Sequence, residues 1–420
     1  MSPRGARARR VLGRARMTWL AVGAAVLGGA GPVTVAAGAP AVAAPAERSV
    51  AAERFGAEPS AAAEPSGAAD AGGPARARTL AFGGTGTSER TVPRTGTEEF
   101  SLIGVSWADH TRRFDGTAQV RTRSAETGRW SGWRDLDFDI VAPETDEAAA
   151  ADTRGASEPL WTGPSDAVEA RVVADGRQRA VPGGLRLDLI DPGTATAEAT
   201  ATAPSTATSQ GRAETTAPAR PPIVSRAGWG ADESLVKDPA EYIPKVEAVF
   251  VHHTAGTNDY TCADSAAMIR AIFVYHVQSN GWNDVGYNFF VDKCGTLFEG
   301  RAGGVDQRVR GAHTYGFNGV SSGVSLLGNY EDGGTPTPAA LSALADIAAW
   351  KLGLDGVDPQ GRVTLTAAGD TGVYEPGEKA TLYTISGHRD GYATLCPGQT
   401  LYDRLPDIRT QAAASPYATR

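Results

Sequence analysis

Between Ser386 and Gly398 the chain reads SGHRDGYATLCPG, which sets an imidazole and a thiol eight residues apart in a stretch built from turn formers. Gly391 and Pro397-Gly398 let such a segment fold back, so that His388 and Cys396 can meet. A second imidazole is expected from FVHHT, residues 250–254, where an apolar run ends in His252-His253. Two neutral imidazoles and a thiolate, with the fourth position left to water, are the donors of a catalytic zinc site, whereas a structural site closes with a fourth protein ligand. The expectation from these residues is a secreted hydrolase with Zn2+ as cofactor.

Successive strand residues point to opposite faces, so His252 and His253 cannot both aim at one ion; one ligates while the other lines the cleft or packs. Asp390 is expected to accept a hydrogen bond from a neighbouring group, as ligating histidines usually require. The elements that must position these groups are legible as patterns. Val246–His253 reads as a buried strand, and Tyr287–Val291 with Thr296–Phe298 as a hairpin around Lys293-Cys294-Gly295. Asp264 or Ser265 starts a helix on which Ile269, Ile272, Phe273 and His276 fall at helical spacing. In a second helix Thr337 caps, Pro338 takes the first position, Leu341, Leu344, Ala348 and Leu352 form a stripe, and Gly353 ends it. Leu401–Ala413 reads as helical with a break or restart at Pro406. Strand and helix alternate without regular βαβ repetition, so one mixed sheet with helices packed on it is expected.

At 420 residues the chain has room for two domains plus tails, and its net charge of -8 comes with no clustered basic face, which argues against nucleic acid as a partner. The cysteines are three: Cys262, Cys294 and Cys396. A Cys262–Cys294 bridge would pin the helix between them and leave Cys396 as the thiolate; alternatively Cys396 pairs with one of the others. Basic Arg4–Arg16, apolar Met17–Gly29 and Ala41-Val42-Ala43 form a signal peptide over residues 1–43, with Arg9-Arg10 a candidate twin-arginine pair. No membrane span is expected after cleavage, and the product is secreted, extracellular or associated with a cell wall.

Residues 44–78 are Ala, Pro, Gly, Glu and Ser with almost nothing to bury, and read as disordered. Residues 79–193 change to short alternating runs such as TAQVRTRS, where Ala118, Val120 and Thr122 would face one side and Gln119, Arg121 and Arg123 the other; this is an antiparallel β-domain. Its Trp107, Trp130, Trp133 and Trp161 are read first as packing groups, with a sugar-binding face as the competing reading. Residues 194–222 form an Ala/Thr/Pro linker, and a second domain spans 223–415.

That second domain resembles the peptidoglycan recognition protein family, within the type 2 zinc N-acetylmuramoyl-L-alanine amidases. RAGWGA, VFVHHTAG, GWNDVGYNFFVD, GTLFEGRAGG, GAHTYGFN, VSLLGNY and SGHRD followed by CPG occur in family order between Ile223 and Tyr402. The resemblance implies an α/β fold with a mixed central β-sheet flanked by helices, preceded here by a small, mainly antiparallel β-domain that it does not cover. It implies His252, His388 and Cys396 as the zinc ligands, Tyr287 as a catalytic group, and Thr394 at the position where some family amidases carry lysine. His253, Thr254, His276, His313 and Asn318 match positions lining the muropeptide groove. Gly281-Trp282 and Arg301 match the signature for diaminopimelate-type stem peptides, whose extra carboxylate an arginine fork can pair. The implied partner is bacterial peptidoglycan and the implied reaction is cleavage of the lactyl–L-alanine amide; the alternative is a recognition protein that binds without cutting. A monomer is the expectation.

Overall fold

The computed structural model describes residues 73–84, 87–112, 114, 116–138, 152–174, 180–194, 219–331 and 333–418. The signal peptide, most of the segment read as disordered and most of the linker lie outside the described residues.

The first domain is a sheet of strands β1 (Arg76–Ala81), β2 (Glu89–Trp107), β3 (Gly116–Ser124), β4 (Arg134–Leu136), β5 (Gly155–Ala156), β6 (Leu160–Ala174) and β7 (Arg186–Asp191). Their order is β1-β7-β2-β6-β3-β4 with β5 on β2, and every pairing is antiparallel. The alternation read from β3 is realised: Ala118, Val120 and Thr122 are buried, while Gln119, Arg121 and Arg123 point outward. Trp107 and Trp161 are core residues, whereas Trp130 and Trp133 are half-buried under the guanidinium groups of Arg94, Arg121 and Arg171. One correction concerns Arg76–Arg78, which fall inside the stretch read as disordered but form the start of β1. That strand has little apolar surface; its order comes from backbone pairing along β7, from Arg76 opposite Asp191 to Ala81 opposite Arg186, a source of stability that composition does not reveal.

The second domain carries β8 (Ile223–Val224), β9 (Ala248–His253), β10 (Phe289–Val291), β11 (Leu297–Glu299), β12 (Ser321–Leu326), β13 (Arg362–Thr366), β14 (Lys379–Tyr383) and β15 (Ile385–Gly387). Six of these form one mixed sheet in the order β15-β9-β12-β10-β11-β8, parallel except for the β10–β11 hairpin. β9 lies between two parallel neighbours and is buried on both faces, which is why AVFV reads as a continuous apolar run instead of an alternating one.

The helices are α1 (Arg226–Trp229), α2 (Ser265–Val274), α3 (Pro338–Gly353), α4 (His388–Gly391), α5 (Gln399–Tyr402) and α6 (Leu405–Ala414). α3 begins as expected, with Thr337 Oγ1 accepting the Ala340 N–H at 3.1 Å, and packs with Val249 and Val251 in one core. The predicted terminal helix divides into α5 and α6, with Pro406 in the first turn of α6 where its missing N–H costs nothing. At α2, Asp264 occupies the capping position but its carboxylate turns back to the Thr261 N–H and hydroxyl. α2 runs on into a π-helical turn, Tyr275–Ser279, so His276 sits on that wider turn and not on a regular helical stripe.

The domains share a core. Leu102, Ala156, Trp161 and Ile190 of the first domain pack in one cluster with Met268, Ile272, Tyr275 and Tyr287 of the second. No helix among the described residues is long and apolar enough to cross a membrane.

Candidate metal centre and cleft

The parallel strands gather the chemistry at their C-terminal ends, where open α/β sheets commonly place ligand sites. His252 is the fifth residue of β9, and His388 follows directly on β15, the neighbouring strand. The segment after α4 then folds back, with the Arg389 N–H donating to Cys396 O at 2.9 Å and the Cys396 N–H donating to Thr394 Oγ1 at 3.0 Å. As a result, ligating atoms of His252, His388 and Cys396 lie within 4.8 Å of one another. Cys396 Sγ is 3.7 Å from His252 Nδ1, and the His252 and His388 rings are 4.5 Å apart.

The two neighbouring histidines of β9 diverge as strand geometry requires. His252 lies on the Phe250 side, against His313. His253 lies on the side of Val249 and Val251, where its Nδ1 accepts the Tyr330 N–H at 3.2 Å. Its imidazole is thus a packing group, while its backbone N–H is 3.4 Å from Cys396 Sγ. The far nitrogen of His252 is held from a third direction: Nε2 lies 3.2 Å from His313 Nδ1 and 3.4 Å from Thr314 Oγ1. Nε2 is thus turned away from the thiol and Nδ1 toward it, the ring orientation in which Nδ1 can ligate a metal. Burial, then the neighbouring imidazoles, hold His252 well below the usual histidine range; burial also depresses His388, to about 3. Both therefore remain neutral donors at ordinary pH.

Asp390 does not hold a ligating histidine. Its carboxylate accepts the Gly387 N–H at 2.9 Å and the Tyr402 hydroxyl at 2.6 Å, closing the first turn of α4 against α5. Sequence reasoning missed Thr314, whose only signal was its place after His313 in GAHTYGFN.

Tyr287 is buried beside the cluster, its ring 5.2 Å from that of His252. Burial, then the charges of Glu158 and Cys396, raise its phenol well above its ordinary value, so it stays a donor. His276 lies with its ring 4.6 Å from that of Trp282, tilted by 41°, and accepts the Gly286 N–H at Nδ1, which places its proton on Nε2. That Nε2, His313 Nε2 and Trp282 Nε1 are buried polar atoms with no protein partner among the described residues. Asn318 and Thr254 act on the framework: Asn318 Oδ1 accepts the N–H groups of His313 and Thr314, and Thr254 Oγ1 that of Gly328. Thr394 likewise accepts from the Cys396 backbone, as above. Gly281 adopts φ +81°, and Arg301 is buried with its pKa drawn down to about 10 by desolvation and by Arg310, still a cation at neutral pH. Arg301 and Arg310 share a cleft with Asp238, Glu241 and Asp284. Cys262, Asp292 and Cys294 also cluster, but the two thiols form a disulfide and hold no metal.

The family motifs around these residues are largely scaffold. Arg226 of RAGW pairs with Asp284 at 3.1 Å and Glu233 at 2.8 Å, and Trp229 Nε1 donates to Glu299 O at 2.7 Å. Residues 243–399 match the family model described as N-acetylmuramoyl-L-alanine amidase, and residues 51–217 match one described as Rv3811 N-terminal galactose-binding domain-like. Over 184 residues the chain is 31% identical to peptidoglycan-recognition protein SC2 of Drosophila simulans, covering 44% of this chain and 84% of that protein. The chain belongs to the peptidoglycan-recognition protein family. It is also 32% identical over 185 residues to peptidoglycan recognition protein 1 of Bos taurus, covering 43% of this chain and 80% of the other. A similar solved structure is human PGRP-IBETAC in complex with glycosamyl muramyl pentapeptide, 27% identical, with a TM-score of 0.34 and coverage of 43% and 92%. Within this peptidoglycan-recognition protein, the β-rich domain of residues 76–191 and the residues at the strand ends belong to separately matched regions.

Proposed function

We propose that this protein is a secreted, zinc-dependent N-acetylmuramoyl-L-alanine amidase that cleaves the amide between the lactyl group of N-acetylmuramic acid and L-alanine in peptidoglycan. The observation that carries the reading is the convergence of His252, His388 and Cys396, all buried, with ligating atoms within 4.8 Å. Two neutral imidazoles and one thiol suit zinc in type and number. Zinc supplies Lewis-acid polarisation and an activated water when bound.

The chain's own residues do the rest. His313 and Thr314 fix the His252 ring; the His253 N–H holds the thiol, and Thr394 Oγ1 holds the Cys396 backbone N–H. Tyr287, kept protonated by burial, donates to the carbonyl oxygen as negative charge develops on it. The unpartnered His276 Nε2, His313 Nε2 and Trp282 Nε1 are suited to the carbonyl-rich muropeptide, since buried polar atoms left without partners are costly. The mixed-charge cleft around Arg301 suits the zwitterionic end of a diaminopimelate side chain, and we read the preferred substrate as that type. The domain limits are read as 76–193, since β1 carries the first domain back to Arg76, and 223–415, following a cleaved signal peptide at 1–43, with a monomer acting at or near the cell wall.

The test is zinc content and product analysis on the full secreted chain and its Cys396→Ala variant, using intact peptidoglycan. About one zinc per chain and stem peptides starting at L-alanine, both lost in the variant, is the expected result. Peptidoglycan binding with neither zinc nor product would make the protein a recognition module instead.

A further inference from the structure

The π turn Tyr275–Ser279 and the two residues after it meet the first domain at one position after another. The Tyr275 ring fills the space that a β-carbon at Gly104 of β2 would occupy, with ring and hydroxyl atoms 2.3–2.5 Å from that point, and its hydroxyl donates to Ser157 O at 3.0 Å. Gln278 Oε1 accepts the N–H of Ala77 in β1 at 3.2 Å. Arg186 Nη2, from β7, donates to Ser279 O at 3.0 Å, and the Arg154 N–H donates to Asn280 O at 3.0 Å. Gly281 lies against Asp152, whose carbonyl oxygen a β-carbon there would meet at 2.4 Å. The Gly281 carbonyl accepts from Lys237 Nζ at 2.8 Å, and that lysine is itself paired with Asp152.

Carbonyls at the C-terminal end of a helix have no partner within it. Here Ser279 O and Asn280 O take theirs from another domain. Within the turn, the Asn280 N–H donates to Tyr275 O at 3.0 Å and the Trp282 N–H to His276 O at 2.9 Å, spans of five and six residues. Turns this wide are rare and recur at functional sites. Tyr275 points into the first domain, whereas His276, next in the chain, faces the cleft groups, its ring 4.6 Å from Trp282 and 6.2 Å from Tyr287. The shape of the turn therefore sets the direction of His276 Nε2 and Trp282 Nε1, both buried and without a protein partner among the described residues. Arg186 is well braced for holding it: Nε donates to Ser106 Oγ at 3.0 Å and lies 3.0 Å from Asp188 Oδ1, a fully buried carboxylate.

We propose that the first domain sets this wall of the cleft, with Arg186 as a positioning residue that holds the π turn in the form presenting His276 Nε2 and Trp282 Nε1 to carbonyl groups of the substrate. This rests on the reading above that gives those two groups to the muropeptide. A guanidinium makes a charge-assisted bond to the Ser279 carbonyl, stronger than a neutral donor would make. Arg186 acts through that carbonyl and not on the substrate itself.

The experiment uses the full secreted chain with Arg186→Ala, Arg186→Lys and Tyr275→Phe, and a soluble disaccharide-peptide muropeptide, reading KM, kcat, zinc content and thermal midpoint. Expected in Arg186→Ala is a KM raised about tenfold with kcat and zinc content at the wild-type level. Arg186→Lys keeps a cation beside Asp188 and a donor for Ser279 O, and should bring the rise back to about threefold. Tyr275→Phe keeps the ring and loses the bond to Ser157; a rise of about threefold is expected there too, and it decides the question if Arg186→Ala does not fold. In a double variant, Arg186→Ala with His276→Ala, the rise should fall well short of the product of the single rises, because both act through one turn. Wild-type KM in the folded variants overturns the proposal even if the thermal midpoint drops, since Arg186 would then serve stability alone. A full product in the double variant overturns it as well, and so does a loss confined to kcat or zinc content. If the chain binds muropeptide without cutting it, the amidase reading fails while Kd carries the same comparisons. A wild-type chain that neither binds nor cuts overturns both readings.

Discussion

A β-carbon at Gly323 would overlap the ring of His313, so the imidazole can lie across β12 only because that position has no side chain. His313 Nδ1 in turn stands 3.2 Å from His252 Nε2, which makes a glycine in the middle of a buried strand part of the candidate metal centre. Gly323→Ala should displace His313 and loosen His252. Zinc affinity or kcat/KM is expected to fall about 10- to 100-fold, the usual cost of losing a group that orients a ligand. Metal titration together with steady-state kinetics checks it; wild-type values in both would separate His313 from the site.

Tyr287→Phe removes a hydroxyl and leaves the ring packed 5.4 Å from Phe290. Turnover should drop about 100-fold, as for loss of one oxyanion donor, with zinc retained. Unchanged turnover would take Tyr287 out of the mechanism.

The Cys262–Cys294 disulfide closes a loop that contains α2 and the π turn bearing His276. Replacing both cysteines by serine should cost about 3–4 kcal/mol in the chain-entropy account, seen as a lower urea midpoint. Activity at low temperature should persist, because neither sulfur is in the ligand set.

Lys351 offers a pH signature. Burial in α3 lowers its pKa from 10.5 to about 8, and its Nζ donates to Val305 O at 2.9 Å and to Gln307 O. Between pH 8 and 10.5 the folded lysine has released a proton that the unfolded chain still holds. Stability therefore gains with rising pH across that window, by about 3 kcal/mol at most for a shift of this size. Unfolding of the wild type and of Lys351→Met at pH 7 and pH 10 checks the sign: the wild type should gain relative to the variant.

The parts of the site governed by local rules were readable in advance. Strand periodicity alone separated the His252 and His253 directions, and turn formers around Gly391 and Pro397 announced the loop that returns Cys396 to His388. What escaped depends on partners distant in sequence. Gly323 gave no hint that a ring from residue 313 would cross it, and Asp390 spends its oxygens on Gly387 and Tyr402 because α5 folds against it. β1 exists through its pairing with β7, about a hundred residues away, as the register of Arg76 with Asp191 makes plain.

The cluster in which Trp161 and Ile190 pack with Ile272 and Tyr287 joins the halves by packing as well as by the chain that links them. Arg270 Nε donates to Pro192 O at 3.1 Å, the Arg154 N–H to Asn280 O at 3.0 Å, and Lys237 pairs with Asp152 at 2.5 Å, so the halves are also tied by polar bonds. A protease cutting the Ala/Thr/Pro-rich stretch between Thr194 and Ala219 would yield two polypeptides on a denaturing gel and one particle in solution. Cleavage there need not separate the two halves.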